Sequence, residues 1–193
     1  MLLFQGAFYF LSVASLFQTI PGRDEVDLYR VKTPEIYTTV QNNGSTLHDT
    51  RTPIKEFLIK DALGEIKITI HNFPSEKLED RIPPIAQVKR WEKQFDTIDP
   101  RDQRITPQSF SGFTGLLYEA KGTIKKEEKA LMAWAMQLGN EHYRTLSRCP
   151  FSIQKRSDFT IKAIGPSAAI DAHREQIFLF ARSFELLDEI PSE

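Results

Sequence analysis

Strict alternation of isoleucine with polar residues over residues 65–71 constrains the fold more than any other feature of the chain. Successive side chains of an extended strand point to opposite sides, so the three isoleucines would share a buried face and the polar residues between them a wetter one. A turn-forming Ala-Leu-Gly stretch precedes this segment, and residues 53–60 before it carry Ile54, Phe57 and Ile59. The two segments therefore predict a β-hairpin with one buried face.

Four further segments are rich in the β-branched and aromatic residues that are typical of strands. They are residues 28–31, 35–40, 112–122 and 158–164. Residues 130–138 fit two patterns, because a helix would stack Leu131, Trp134 and Leu138, whereas a strand would alternate two apolar sets. Their alanine content favours a helix and their place between strands favours a strand. We predict a strand.

Apolar residues at helical spacing predict two helices. The first opens at Ile82-Pro83-Pro84, because proline is tolerated in a first turn. Its apolar face consists of Ile85, Val88, Trp91 and Phe95. The second helix spans residues 168–187, with an apolar stripe of Ile170, Ile177, Ala181 and Phe184 that is widened by Phe178 and Phe180. A helix this apolar must dock on a sheet, so the predicted fold class is α+β, with a long C-terminal helix packed on an antiparallel sheet.

Residues 96–110 are crowded with Asp, Pro and Ser, and this composition predicts a loop. Long loops in compact domains often carry function. The predicted helix before this segment turns basic side chains away from its apolar face. We expect a partner-binding surface on these two neighbouring segments, consisting of Lys89, Arg90, Lys93, Asp96, Asp99 and Asp102.

Residues 1–20 contain no charged side chain, and the first charge is Arg23. Such a run is typical of a secretory signal peptide, for which Ser-Val-Ala at residues 12–14 would supply a cleavage site. It is also long enough for an uncleaved membrane anchor, and a third interpretation is a buried strand or helix of the domain. No Lys or Arg precedes the apolar stretch, which departs from the usual signal pattern. We expect a signal peptide or membrane anchor over residues 1–20 and a single α+β domain over residues 24–193. The protein would then be exported (periplasmic, cell envelope or secreted), or cytoplasmic if residues 1–20 belong to the domain.

The charge of the chain is balanced, with 25 basic and 26 acidic residues and a formal net charge of −1. Nucleic-acid-binding domains usually carry a basic excess on one face, so we expect no nucleic-acid partner. A protein partner is expected instead, with membrane attachment through residues 1–20 as an open alternative. Cys149 is the single cysteine, which excludes an intramolecular disulfide and a Cys-rich zinc site.

Local motifs for catalysis and cofactor binding are missing from the sequence. It has no G-x-S-x-G nucleophile elbow and no glycine-rich phosphate loop. No two of its four histidines lie three to five residues apart, as a local zinc pair requires. We therefore predict no catalytic residue, no cofactor and no metal ligand, and we favour a protein that is not an enzyme. An enzyme would need at least two residues that meet only in the fold, out of His48, His71, His142, Asp49 and Asp158.

The C-terminal part of the chain resembles the Mog1/PsbP-like superfamily. The resemblance rests on the strand and turn formed by Phe159-Thr160-Ile161-Lys162-Ala163-Ile164-Gly165-Pro166, and on the Ser183-Phe184 pair that closes the following helix. It covers residues 110–187, and residues 28–80 match only in the order of elements. It implies a central antiparallel sheet flanked by helices on both sides, as in an α/β/α sandwich. It also implies a non-enzymatic adaptor or assembly factor, often exported or lipid-anchored.

These observations together predict an exported or membrane-attached, non-catalytic binding or assembly module. Two alternatives remain at this point. One is a hydrolase-type enzyme with a site assembled only in the fold. The other is a carrier of a small apolar ligand, which would need an internal apolar cavity of about 300 Å³ or more.

Overall fold

The computed structural model describes residues 15–21, 27–40, 51–75, 77–141 and 158–187. The described residues form two antiparallel sheets and two α-helices. His48, Asp49, His142, Cys149 and the cleavage site at residues 12–14 lie outside them.

The larger sheet has seven antiparallel strands in the order β3-β4-β5-β9-β8-β7-β6. Its strands are β3 (Thr38–Val40), β4 (Lys55–Asp61), β5 (Gly64–Phe73), β6 (Thr97–Phe110), β7 (Phe113–Ile124), β8 (Glu127–Leu138) and β9 (Asp158–Gly165). The predicted hairpin is confirmed as β4 and β5. In it Phe57 pairs with Ile68, Ile59 pairs with Ile66, and all four side chains are buried. The opposite face of β5 is less exposed to solvent than its sequence suggests, because Thr69 is buried as well.

The smaller sheet has three antiparallel strands in the order β1-β2-β10. They are β1 (Ser15–Pro21), β2 (Asp27–Pro34) and β10 (Glu185–Leu186). The described part of the uncharged N-terminal run is thus a strand, and its Ile20 is fully buried. Within the residues that the structure describes, no helix has the length and hydropathy needed to cross a bilayer.

Helices lie on opposite faces of the larger sheet. Helix α1 (Pro84–Glu92) packs on β7 and β8, and helix α2 (Ser167–Arg182) packs on β8 and β9 from the other side. β8 separates the two cores, because its even-numbered side chains from residue 130 to 138 lie under α2 and its odd-numbered ones from 131 to 135 lie under α1. Both faces of this strand are buried, which explains why its sequence has no polar side. The predicted α+β class, the flanking helices and the strand at residues 130–138 are confirmed.

The predicted loop at residues 96–110 is wrong, because Thr97–Phe110 forms strand β6. β6 pairs with β7, and its register shifts between Ile98 and Gln103. It is the outermost strand of the sheet. Proline is tolerated on such an edge, where Pro100 and Pro107 stand, and charged side chains there discourage pairing with other chains. The residues that signal a loop are thus also those that protect an edge strand.

Two boundaries and one burial differ from the predictions. Only Thr38–Val40 of the predicted strand at residues 35–40 is extended, because a turn precedes it. Helix α2 ends at Arg182, and the buried Phe184 lies just beyond it. Ile85 was assigned to the apolar face of α1 but is 44% exposed.

Candidate functional site

The Ser183-Phe184 pair joins α2 to the smaller sheet. The hydroxyl of Ser183 accepts a hydrogen bond from the backbone N–H of Lys32 at 2.9 Å and donates one to the carbonyl of Phe180 at 2.7 Å. The ring of Phe184 is fully buried, with its centroid 4.5 Å from that of Tyr29 and 4.3 Å from that of Phe159. One polar and one aromatic contact therefore fix the end of the helix against β2.

The Gly-Pro turn fixes the other end of α2. A Cβ on Gly165 would lie 2.9 Å from the backbone oxygen of Glu65, closer than side chains normally approach. Pro166 follows and packs against Gly64, which has a φ of +123° in the β4–β5 turn. The helix is thus held at both ends by the residues on which the family resemblance rests.

A groove of about 650 Å³ runs between α2 and the end of β2. We call it the α2 groove. Its lining consists of Lys32, Pro34, Ala172, His173, Glu175, Gln176, Leu179, Phe180, Arg182 and Ser183. Within the described residues, β10 covers β2 only at Tyr29 and Arg30. The next residues of β2 lie beside the helix, where no other described strand pairs with them on that side.

The groove has an apolar centre. Leu179 projects from α2 with 62% of its surface exposed, the largest exposure of any large apolar side chain on the described part of that helix. Phe180 beside it is buried and contributes to the floor, where its ring centroid lies 5.1 Å from that of Tyr37 and 5.4 Å from that of Phe57. An exposed leucine above a rigid aromatic floor is the arrangement that binding surfaces use for a buried anchor.

One end of the groove is cationic. Lys32 and Arg182 line it, and neither has a carboxylate partner among the described residues. Lys32 Nζ lies 5.0 Å from the ring centroid of Phe17, and the guanidinium of Arg30 lies 5.3 Å from the same ring. Arg30 is neutralised by Glu185 at 2.7 Å. The guanidinium of Arg182 lies 5.6 Å from the ring centroid of Phe178. Lys32 and Arg182 are therefore the cations at this end that have no carboxylate partner among the described residues.

The opposite end of the groove holds a hydrogen-bonded histidine–aspartate pair and a carboxylate. His173 Nε2 lies 2.6 Å from Asp61 Oδ2, which ties α2 to the β4–β5 turn. The hydrogen bond with His173, together with one from the backbone N–H of Leu63, lowers the pKa of Asp61. Glu175 is exposed on the same stretch of the groove. The α2 groove thus has a charge gradient along its length.

The basic half of the partner surface predicted from the sequence lies on the outer side of α1. Lys89 and Arg90 are exposed in its last turn, and Lys93 follows at its C-terminal cap. The pattern of an apolar face and a basic face therefore has the predicted orientation at these three residues. The most exposed large apolar side chain on the described helix α1 is Ile85, at 44% against 62% for Leu179.

Two of the three aspartates in the acidic half of that predicted surface accept hydrogen bonds from other residues of the fold. Asp96 accepts a hydrogen bond from the backbone N–H of Lys126 at 3.1 Å and so holds the β7–β8 turn. Asp99 accepts from the side chain of Arg101 at 2.8 Å, and this bond lowers the pKa of Asp99. Asp102 is exposed near the register shift of β6. Three of the six residues thus belong to α1 and its C-terminal cap, and the three aspartates lie just before β6 or within it.

Asp158 has a structural role. Its carboxylate accepts hydrogen bonds from Arg81 Nε at 2.9 Å and Nη2 at 2.6 Å, and the two side chains are only 7% and 5% exposed. It also accepts from Gln137 Nε2 at 3.3 Å and from the backbone N–H of Leu138 at 3.0 Å. The pair anchors the segment before α1 to the centre of the sheet.

Two of the five candidates for a site assembled only in the fold, His71 and Asp158, lie in the described residues. His71 lies on the same face as Asp158, because it pairs with Thr160 across β5 and β9. Its Nε2 lies 3.2 Å from the backbone oxygen of Arg51. Among the described residues no group of three or more His, Cys, Asp or Glu side chains is placed to hold a metal ion.

The α2 groove was missed in the sequence analysis, although one signal for it is present. Residues 177–180 are four consecutive apolar residues, Ile-Phe-Leu-Phe, and a helix that docks on one side cannot bury all of them. Leu179 is the one that faces outward. Its neighbours in the groove come from β2, far away in sequence, so the groove itself depends on the tertiary fold.

Comparison with known proteins supports the fold. No protein-family model matches the sequence, and no curated protein matches it either. Solved structures match over most of both chains, and two of them are LpqN and a cyanobacterial PsbP. LpqN, involved in cell envelope biogenesis of Mycobacterium tuberculosis, has a TM-score of 0.53 at 7% identity, over 92% of this chain and 87% of LpqN. Cyanobacterial PsbP (CyanoP) from Synechocystis sp. PCC 6803 has a TM-score of 0.51 at 14% identity, over 94% of this chain and 98% of PsbP.

The chain has the Mog1/PsbP-like fold. The resemblance inferred from the Gly-Pro turn and the Ser-Phe pair is confirmed at the level of the fold. At 7% and 14% identity the likeness extends to the fold alone, so function must be argued from the site.

Proposed function

We propose that this protein is an exported, non-catalytic binding or assembly module that engages a protein partner through the α2 groove. The observation that carries the proposal is Leu179, a leucine that is 62% exposed above an aromatic floor and beside unpaired cations. Large exposed apolar groups rimmed by polar residues are typical of interaction sites. Fold neighbours of this kind include a protein involved in cell envelope biogenesis, which is compatible with such a role.

Export is compatible with the described part of the fold. Cleavage after Ala14 would release a chain that begins at Ser15 and retains all of the described residues. All of β1 would remain available to pair with β2. Removal of a signal peptide at residues 1–14 is therefore compatible with the fold, and we propose this shorter segment in place of residues 1–20.

A small apolar ligand is the alternative occupant. The volume of about 650 Å³ lies in the range of small-molecule sites. The groove is flanked by exposed charged side chains, however, and an apolar ligand would leave these charges without partners. A protein segment that carries its own charges fits the lining better.

The test is site-specific photo-crosslinking in the cells that make the protein. A photoreactive residue replaces Leu179 in the groove, Lys93 on the alternative surface of α1, or Ile105 on β6 as a control. We expect one discrete protein adduct from position 179 in the exported fraction, and none from 93 or 105. An adduct from position 93 alone would show that the partner binds the α1 surface and not the α2 groove. Sequencing of the mature N-terminus should give Ser15, and a chain that starts at Met1 in the cytosol would contradict export.

A further inference from the structure

Backbone hydrogen bonding at the edge of β2 limits what the α2 groove can accept. An added strand would need free N–H groups at this edge. The N–H of Lys32 already donates to Ser183, and Pro34 has no N–H. The carbonyl of Pro34 accepts from the backbone N–H of Tyr37 at 3.0 Å. The occupant must therefore satisfy its own backbone, as a helix does.

The length of the groove fits a short helix. Its lining on α2 runs from Ala172 to Ser183, which corresponds to about 16 Å at the rise of an α-helix. A partner helix of about three turns covers this distance. Ala172, Gln176 and Leu179 recur at the spacing of one helix face, so they form a continuous ridge for a second helix to pack on.

The charge gradient sets the direction of that helix. Lys32 and Arg182 lie at the C-terminal end of α2, and Glu175 lies nearer its N-terminal end. A helix that runs antiparallel to α2 places its own N-terminus beside the two cations. Acidic residues are favoured in the first turn of a helix and basic residues in the last. In the antiparallel direction, this common charge pattern places acidic residues beside the two cations of the groove and basic residues beside Glu175.

Building on the proposed function, we infer that the occupant of the α2 groove is an amphipathic helix of about three turns from a partner protein, antiparallel to α2. Its first turn is acidic and faces Lys32 and Arg182. Its apolar face covers Leu179, and its last turn is neutral or basic beside Glu175.

The inference is tested with a display library of random peptides of about 16 residues, selected on the full chain and counter-selected on a Leu179→Asp variant. Because Leu179 is exposed, this change should leave the fold intact, and Ile105→Asp on β6 serves as the matched control. We expect enriched peptides with apolar residues at i, i+3, i+4 and i+7 and with carboxylates near their N-terminus. Enrichment of alternating, strand-like peptides, of peptides without the acidic bias, or of no peptide would overturn the inference.

A charge-reversal pair tests the direction. Arg182→Glu should weaken the best peptide about tenfold, since an attraction becomes a repulsion. A peptide whose acidic first turn is replaced by lysines should recover this loss on the variant and bind the unaltered protein poorly. Equal binding of both peptides would contradict the antiparallel arrangement.

A dimer of this chain that Leu179→Asp disrupts would instead identify a second copy as the occupant. An extended partner segment crosslinked at position 179 would refute the helix and leave the proposed function intact.

Discussion

The hydrophobic core between the larger sheet and α2 contains many aromatic rings. The smaller core between the same sheet and α1 has a buried ion pair at its border. Beneath α2, the rings of Tyr29, Phe159 and Phe184 lie in mutual contact and link the helix to both sheets. Beneath α1, β8 contributes Leu131 and two alanines. Near the start of α1, the Arg81–Asp158 pair holds the chain.

The two kinds of attachment have different consequences for function. The inner side of α2 packs on aromatic rings, and Ser183 and His173 tie the helix to β2 and to the β4–β5 turn. Its outer side exposes Leu179 and Arg182. The ion pair under α1 has no outward surface, because both of its side chains are almost fully buried. The α2 side of the molecule therefore combines a packed core with an exposed apolar side chain in a groove.

Each of the two cores contains one tryptophan whose fluorescence can report on its unfolding. Trp134 belongs to the core under α2, and Trp91 belongs to the core under α1. Replacing either tryptophan by phenylalanine leaves a fluorescence signal from a single face. Unfolding in urea can then be followed separately on the two sides.

The largest expected effect comes from breaking the aromatic side. Phe184→Ala should lower the free energy of unfolding by about 4 kcal/mol, since truncating a buried phenylalanine leaves a cavity as well as losing apolar contact. Phe17→Ala is the matched control, because this ring is 57% exposed and should cost little. Urea denaturation measures both variants. A loss below about 1 kcal/mol for Phe184→Ala would show that the small sheet does not depend on the aromatic contact.

Breaking the ionic side should have the next largest effect. Arg81→Met should lower the free energy of unfolding by about 3 kcal/mol, because it leaves the Asp158 carboxylate buried without its cation. The double variant with Asp158→Asn should recover part of this loss, and the double-mutant cycle gives the coupling. The control is the exposed Arg101–Asp99 pair, for which Arg101→Met should cause no measurable loss. Additive effects of the two single variants would contradict a coupled ion pair.

The sequence predicted the fold correctly where a residue pattern is compatible with only one kind of secondary structure. The alternation of isoleucine in β5 is compatible only with a strand, and the hairpin was predicted correctly. The mixed pattern of β8 arises because two cores meet at that strand, and only the neighbouring elements indicated a strand. The Asp- and Pro-rich segment that forms β6 was assigned to a loop, because an edge strand protects itself with those same residues.

The candidate site was harder to predict than the fold. The Gly-Pro turn and the Ser183-Phe184 pair were recognised as marks of a family, and they hold α2 at its two ends. Their consequence, a groove beside Lys32, requires the pairing of β2 with β10 across more than half of the chain. The aspartates Asp96 and Asp99 suggested a surface, but their carboxylates are bound to neighbouring groups. Sequence spacing does not reveal which charges are already paired.

The smallest expected effect distinguishes the His173–Asp61 hydrogen bond on the α2 side from the buried ion pair near α1. The folded state lowers the pKa of Asp61 below its ordinary value of 3.8, chiefly through the hydrogen bond with His173. The contribution of this carboxylate to stability is therefore fully present above about pH 4 and is lost as the pH falls through the lower folded-state pKa. Asp61→Asn should be slightly less stable than the unaltered protein at about pH 5, and the difference should shrink towards about pH 3. Urea midpoints across this range measure it, with Asp171→Asn, at the exposed Lys121–Asp171 pair, as a surface control. A difference between Asp61→Asn and the unaltered protein that stays constant down to pH 3 would show that the carboxylate is not stabilised by its contact with α2.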